Sequence, residues 1–317
     1  MKTTFDIKTM REVFGEILCR KAYEYQNLYA LSADTENSMG LSLMRKNFAD
    51  RVINVGICEQ NMAGVASGIA ASGGKVVMAT YAPFASMRML EQVRTYIACL
   101  NLDVKVIAGM GGLSGSREGV SHHGVEDISI MRSIPNMTVI IAADACATAE
   151  ITEKIIDYEG PVYFRLGRNV VPKIFDKYMF QIGKANIIKA EGNDASIICN
   201  GSIIQRVLKA ERFLFAYGLN VQIIEMPCVK PIDRDTIIAA AKETGKIVTI
   251  EENNVLGGLG GAVAEVLSEM QPVPLLRIGI VDTFTKAGSY DELLDLYGFE
   301  PHMICEKIIQ FLMNWKI

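Results

Sequence analysis

Histidine is scarce in this sequence: there are three in 317 residues, and two of them, His122 and His123, are adjacent. Such scarcity disfavours a metal site built from several imidazoles. The seven cysteines (Cys19, Cys58, Cys99, Cys146, Cys199, Cys228, Cys305) are scattered singly, odd in number and without a C-x-x-C pair. They form neither a disulfide framework nor a zinc ribbon, and read as free thiols of a reducing compartment, so the expected location is cytoplasmic. Basic residues are not in excess: 32 Lys and Arg stand against 36 Asp and Glu, for a net charge of −4. That balance lacks the electrostatic footprint of a nucleic-acid or anionic-membrane binder. No apolar run approaches the roughly 18 uninterrupted residues that a spanning helix needs. The opening MKTTFDIKTMREVF carries no apolar signal core. Neither a G-x-G-x-x-G loop with a downstream acid nor a G-x-x-x-x-G-K-[ST] loop occurs, which disfavours the common nucleotide cradles.

What the chain does have is apolar bulk. Half of its residues are hydrophobic and 21% are charged. Its mean hydropathy is +0.22, which points to a large core or a large interface. At about 150 residues per domain the length suits two domains. Short β-branched runs near 52–55, 76–80, 104–108, 138–142, 161–166, 195–199, 221–225, 246–250 and 276–280 read as strands. Helical periodicity fills 8–26, 59–72, 87–100, 145–158, 202–217, 234–243, 260–270 and 302–314. Continuously apolar strands alternating with helices imply parallel sheets covered on both faces. The pattern lapses between 168 and 194, so the expected division is an α/β domain at 1–170, a linker at 171–190 and a second α/β domain at 191–317.

Two stretches are dense in glycine. Residues 256–261 (LGGLGG) read as a tight strand-to-helix turn. Residues 108–124 (AGMGGLSGSREGVSHHG) follow a strand, where open α/β sheets place their sites, and hold two of the three histidines. They read as a functional loop that lets backbone approach a ligand. Glu126 and Asp127 then lead into a helix. Glu59 opens another helix, where an acid is favourable against the macrodipole whatever its function.

The segment GICEQNMAGVASGIA (56–70) closely resembles the pyrimidine-binding motif of transketolases, thiamine diphosphate enzymes that move two-carbon units between sugars. Further segments resemble that family in order: ALSADTENS (30–38), TYAPFASMRMLEQVR (80–94), GLSGSREGVSHHGVEDISIMR (112–132), GPVYFRLGR (160–168) and EENNVLGGLGGAVAEVL (251–267). The likeness spans the chain but only the second half of a full-length transketolase. It implies a pyrimidine-binding α/β domain followed by the family's C-terminal α/β domain, each a largely parallel sheet flanked by helices. It also implies roles. Glu59 pairs with N1′ of the aminopyrimidine, Phe84 stacks on that ring, and Tyr81 and Arg88 complete the cofactor contacts. His122 donates to the substrate oxygen during cleavage, and Glu118 orients a hydroxyl. Arg11, Ser38 and Arg168 hold the substrate's anionic end.

The family's diphosphate-and-metal motif, a GDG followed downstream by an Asn pair, is absent. The resemblance is therefore to the C-terminal subunit of a split transketolase. An N-terminal subunit would hold the diphosphate and a Mg2+ or Ca2+ ion, and a second copy of this chain would complete a heterotetramer. Met110 stands where the family commonly has histidine, Glu118 replaces a usual aspartate, and Arg117 replaces an acid. The HHG run at 122–124 is more like 1-deoxyxylulose-5-phosphate synthase, whereas Asn61 and GVEDISIMR follow transketolase. These departures leave the ketose's anionic end open between phosphate and sulfonate. The alternatives are a subunit like that synthase, a β-subunit of a 2-oxoacid dehydrogenase, and a non-catalytic assembly subunit.

Overall fold

The computed structural model describes residues 8–314. The first half runs α1 (Met10–Glu24), β1 (Leu28–Ser32), α2 (Ser42–Asn47), β2 (Val52–Asn54), α3 (Glu59–Ala71) and β3 (Lys75–Tyr81). A helical segment with π-type turns follows (Phe84–Arg88 and Val93–Ala98, joined by α4, Leu90–Gln92). Then come β4 (Val104–Gly109), α5 (Asp127–Arg132), β5 (Thr138–Ile141), α6 (Ala145–Asp157) and β6 (Val162–Arg165). The second half contains β7 (Asn186–Lys189), β8 (Ala195–Cys199), α7 (Ile204–Ala216), β9 (Val221–Glu225), β10 (Cys228–Lys230) and α8 (Arg234–Thr244). It closes with β11 (Ile247–Asn254), α9 (Leu259–Met270), β12 (Leu275–Ile280), α10 (Tyr290–Leu296) and α11 (Pro301–Asn314).

The strands form two sheets, ordered β10-β5-β6-β4-β3-β1-β2 and β12-β11-β8-β9-β7. Pairing is parallel throughout except for β10 on β5 and β7 on β9. Alternation along each strand feeds two core layers. Val77, Ala79 and Ile107 face the layer of α1 and α6, whereas Val76, Met78 and Val106 face that of α3 and the π-turn segment. With both faces covered, β4, β5 and β6 are buried along their whole length.

The structure corrects the sequence reading at three strands. β1 (LYALS) was not anticipated because it contains no Val, Ile or Thr, yet it sits in the sheet interior between β3 and β2. β10 has only three residues, too short for a period to show; it crosses from the second half to extend the first sheet. β7 falls inside the stretch expected as a linker and forms the second sheet's antiparallel edge. The rest of that stretch is fastened down. Asp144 caps α6 through Oδ1, while its Oδ2 accepts the N–H groups of Ile174 and Phe175 at 2.7 and 3.0 Å. Tyr178 and Phe180 are buried beneath it. The LGGLGG turn is as expected, with Gly257 at φ +80° before α9 begins.

Beneath this strap lies Glu225, at the end of β9 and fully buried, with Asn186 Nδ2 donating to its Oε2 at 2.9 Å. Burial pushes its carboxyl up to about 8. A carboxyl raised above its unfolded value binds a proton more tightly in the native state. Its stabilising contribution is therefore full below about pH 4.3 and is lost as pH rises through 8. Glu225→Gln keeps the shape without the ionisation. We expect denaturant unfolding of Glu225→Gln to be less sensitive to pH between 6 and 9 than that of the wild type, whose loss approaches at most about 1.4 kcal/mol per pH unit. Parallel pH profiles for the two proteins would remove Glu225 as the cause.

Candidate active site

The carboxyl ends of β1, β3, β4 and β6 converge on one edge of the first sheet, where open α/β sheets leave a crevice. A capping box at Thr9 and Glu12 starts α1 and sets Arg11 in its first turn. From there Arg11 Nη1 donates to the Ser38 carbonyl at 3.2 Å. The Tyr81 hydroxyl, at the end of β3, donates to Ser38 Oγ at 2.9 Å, and Ser38 Oγ donates onward to the Thr35 carbonyl at 2.9 Å. Three rings then meet: Tyr81–Phe84, Tyr81–His122 and Phe84–His122 centroids lie 5.5, 5.7 and 5.1 Å apart, within aromatic contact. Arg88 lies over Phe84, its guanidinium carbon 3.6 Å from the ring centroid, and its Nη1 donates to Glu59 Oε1 at 3.0 Å. Glu59 is the first residue of α3 and only 6% exposed.

Seven candidates thus form one chain of contacts: Arg11, Ser38, Tyr81, His122, Phe84, Arg88 and Glu59. Arg168 joins them through a small cavity that it lines with Arg11, Ser38, Tyr81 and Met110. Met110 has φ +56°, a left-handed conformation uncommon for a side chain of its size, at a position that faces this cavity. Glu118 joins the group through an ion pair with Arg168. Both side chains of that pair are about one-third exposed, so the pair is worth little and is free to open.

The glycine-rich loop is not a loose surface loop. His123 is buried, with Nδ1 2.7 Å from the Thr285 hydroxyl and Nε2 3.0 Å from the Ser116 carbonyl. A carbonyl only accepts, so Nε2 carries the proton and Nδ1 accepts from Thr285. Burial lowers the pKa of His123 and keeps it neutral. Of the adjacent histidines only His122 reaches the aromatic triangle. His123 pegs the loop to the second domain, a distinction that adjacency in sequence hides.

A second group lies largely within the segments that carry the resemblance, but the resemblance assigns its members no role. Arg165, buried at the end of β6, donates to Asp127 Oδ1 at 3.2 Å and to the Glu252 carbonyl at 2.6 Å. The Tyr163 hydroxyl donates to Asp127 Oδ2 at 2.6 Å. The Glu252 carboxylate accepts the Leu113 N–H at 2.6 Å and the Tyr290 hydroxyl at 2.7 Å. This network ties the site loop to β11 of the second sheet.

The fold and site define a two-domain α/β chain with a small arginine-flanked cavity on the edge of its first sheet, joined through Tyr81 to an aromatic cluster and a buried carboxylate. Two family models match it: transketolase, pyrimidine binding domain, over residues 7–173, and transketolase, C-terminal domain, over 183–304. A putative transketolase C-terminal section of Methanocaldococcus jannaschii is 39% identical, over 96% of this chain and 96% of that protein. An apulose-4-phosphate transketolase subunit of Phocaeicola vulgatus is 34% identical, over 95% and 97% of the two chains. The 6-deoxy-6-sulfo-D-fructose transketolase subunit SqwH of a Clostridium species is also 34% identical, over 94% of each. Among solved structures, an inactive β4 tetramer of a split-gene transketolase superposes with a TM-score of 0.87 and 37% identity, covering 97% of this chain and 99% of that one. The chain belongs to the transketolase family.

That membership implies a thiamine diphosphate enzyme, and the donor set can be tested against the cofactor. A planar group bearing N–H already stacks on Phe84 while donating to Glu59, so the seat fits a flat nitrogen heterocycle. The metal is a different matter. Among the described residues no group of three or more His, Cys, Asp or Glu side chains could hold an ion.

Proposed function

We propose that this chain is the C-terminal subunit of a two-polypeptide transketolase. Paired with an N-terminal subunit that holds the diphosphate and a Mg2+ or Ca2+ ion, it transfers a two-carbon ketol unit from an anionic ketose to an aldose. The observation that carries this is the unbroken run from Glu59 through Arg88, Phe84, Tyr81 and Ser38 to Arg11, with His122 beside it. It links a heterocycle seat at Glu59 and Phe84 to an anion clamp at Arg11 and Ser38 through one chain of contacts.

Thiamine diphosphate, when bound, would supply a carbon nucleophile for chemistry at a ketone. The chain's own residues orient and protonate. Glu59, shielded at the start of α3, holds a proton at N1′. Phe84 seats the ring and excludes water from it. His122, against Tyr81 and Phe84, is placed to donate a proton to the substrate carbonyl oxygen and to take it back from the cleaving hydroxyl. Arg11 and Arg168 offer forked N–H donors to a phosphate or sulfonate, which suits both the apulose phosphate and the sulfofructose named for the two relatives. Glu118 takes a sugar hydroxyl once its pairing with Arg168 opens.

The test is to copurify the chain with its N-terminal subunit and measure ketol transfer from phosphorylated and sulfonated ketoses. We expect transfer only from the assembled pair, and negligible thiamine diphosphate binding by the chain alone. Tight magnesium-dependent binding by the isolated chain contradicts the division of labour. Pyruvate acting as donor, or 2-oxoacid oxidation, would reassign the reaction.

A further inference from the structure

Arg88 makes two contacts that together describe another molecule. Its guanidinium lies flat over Phe84 at 3.6 Å and donates to Glu59 Oε1 at 3.0 Å. These are the contacts that the proposed function assigns to the cofactor's aminopyrimidine: a planar ring on Phe84 and a nitrogen at Glu59. Guanidinium and aminopyrimidine are both flat, nitrogen-edged and able to present N–H to a carboxylate. The two cannot occupy that seat together. We infer that Arg88 is a placeholder, filling the aminopyrimidine seat in the cofactor-free chain and swinging out when cofactor and partner subunit arrive. The inference rests on the cofactor reading of the site.

The physical need for such a device lies in Glu59. Its side chain is 7% exposed, and Arg88 is the one hydrogen-bonding side chain recorded on it among the described residues. A buried carboxylate left without a partner is strongly destabilising, so the empty seat requires a cation or a proton. Arg88 meets that need from the wet side: its own side chain is 49% exposed, so it can leave into solvent without crossing the core. It stands four residues after Phe84 on the π-wound turn Phe84–Arg88, which brings the two side chains onto one face. Arg88 is thus a positioning and gating residue. It preserves Glu59 in place before loading and competes with the cofactor during it.

The competing role, a lasting cofactor contact, has the opposite signature. In the complex with the N-terminal subunit, Arg88→Ala should tighten thiamine diphosphate binding about fivefold by calorimetry and raise its association rate, since no stacked cation must be displaced. Arg88→Lys, which retains the charge but not the flat stack, should fall between. The free Arg88→Ala chain should melt at a lower temperature than the wild type, so stability and affinity move in opposite directions. A purely structural role would lower both together. A second readout needs no catalysis: in the isolated chain the Arg88 δ-proton resonances should be shifted upfield by the Phe84 ring, and the shift should vanish in the cofactor-loaded complex. Unchanged or weaker cofactor binding in Arg88→Ala, or a ring shift that survives loading, overturns the placeholder. If the wild-type complex binds no thiamine diphosphate at all, the proposed function itself fails, and the placeholder falls with it.

Discussion

Glu59→Ala should lower kcat/KM of the assembled enzyme by about 10³-fold or more, while leaving the fold and the subunit assembly intact. The argument begins with position. Glu59 opens α3 behind Cys58, which makes no side-chain capping bond, so the helix start does not depend on a cap at that position. The helix is held instead by Met62, Ala63 and Ala66 packed into the core. Removing the carboxylate therefore costs little structure. It does remove the group that the proposed function has hold a proton at N1′, and among the described residues no second acid is hydrogen-bonded to Arg88 to take its place. Glu59→Gln sharpens the test, since it keeps volume and hydrogen-bonding reach while losing the exchangeable acid proton. Both variants should be inactive, with circular dichroism and copurification unchanged. Near-normal turnover in either one removes Glu59 from the chemistry and the cofactor reading with it.

The parts of this molecule that were legible in sequence are those where chemistry and local pattern coincide. Continuous β-branched runs announced most of the central strands, because strands covered on both faces favour such residues, although β1 shows that they do not require them. Glycine density marked the loop after β4, whereas Glu59, which as a helix-opening acid carries no signal of its own, stands out only through the likeness of 56–70 to the pyrimidine-binding motif. What stayed hidden was set by long-range partners. β10 is three residues whose conformation is decided by β5, far away in the chain. His122 and His123 are adjacent, and the resemblance singles out His122; that His123 is instead held in the core is set by Thr285, 162 residues away in the chain. Arg88 matched a cofactor-binding segment, but that it lies between Phe84 and Glu59 depends on side-chain packing that no motif encodes.

Arg165 is the extreme case of this hidden class, and its replacement should have the largest effect on stability. It stands three residues before Arg168, the arginine that the sequence singles out, yet it is buried where Arg168 is half-buried. Its guanidinium spans the domain junction, with Asp127 of the first domain on one nitrogen and the Glu252 carbonyl of the second on the other. Burial pushes the Asp127 carboxyl above its usual range, opposed by the Arg165 charge and the Tyr163 hydroxyl. Arg165→Met conserves much of the volume but leaves Asp127 buried without its cation and the Glu252 carbonyl without this donor. Breaking a buried pair from one side costs about 3–5 kcal/mol. Because the lost partner favours the ionised form of Asp127 against burial, the variant's deficit should grow with pH and shrink in acid, where Asp127 takes up a proton. Asp127→Asn in the Arg165→Met background should then recover a large part of the loss at neutral pH, a non-additivity that identifies the pair as the cause. The domains should also uncouple. Glu252 holds the Leu113 N–H at the base of the loop that carries His122, so loosening the junction should lower activity even where the protein stays folded. A single unfolding transition within about 1 kcal/mol of wild type, with unchanged kcat/KM, would show that the two sheets are held by apolar packing and the His123–Thr285 peg rather than by Arg165.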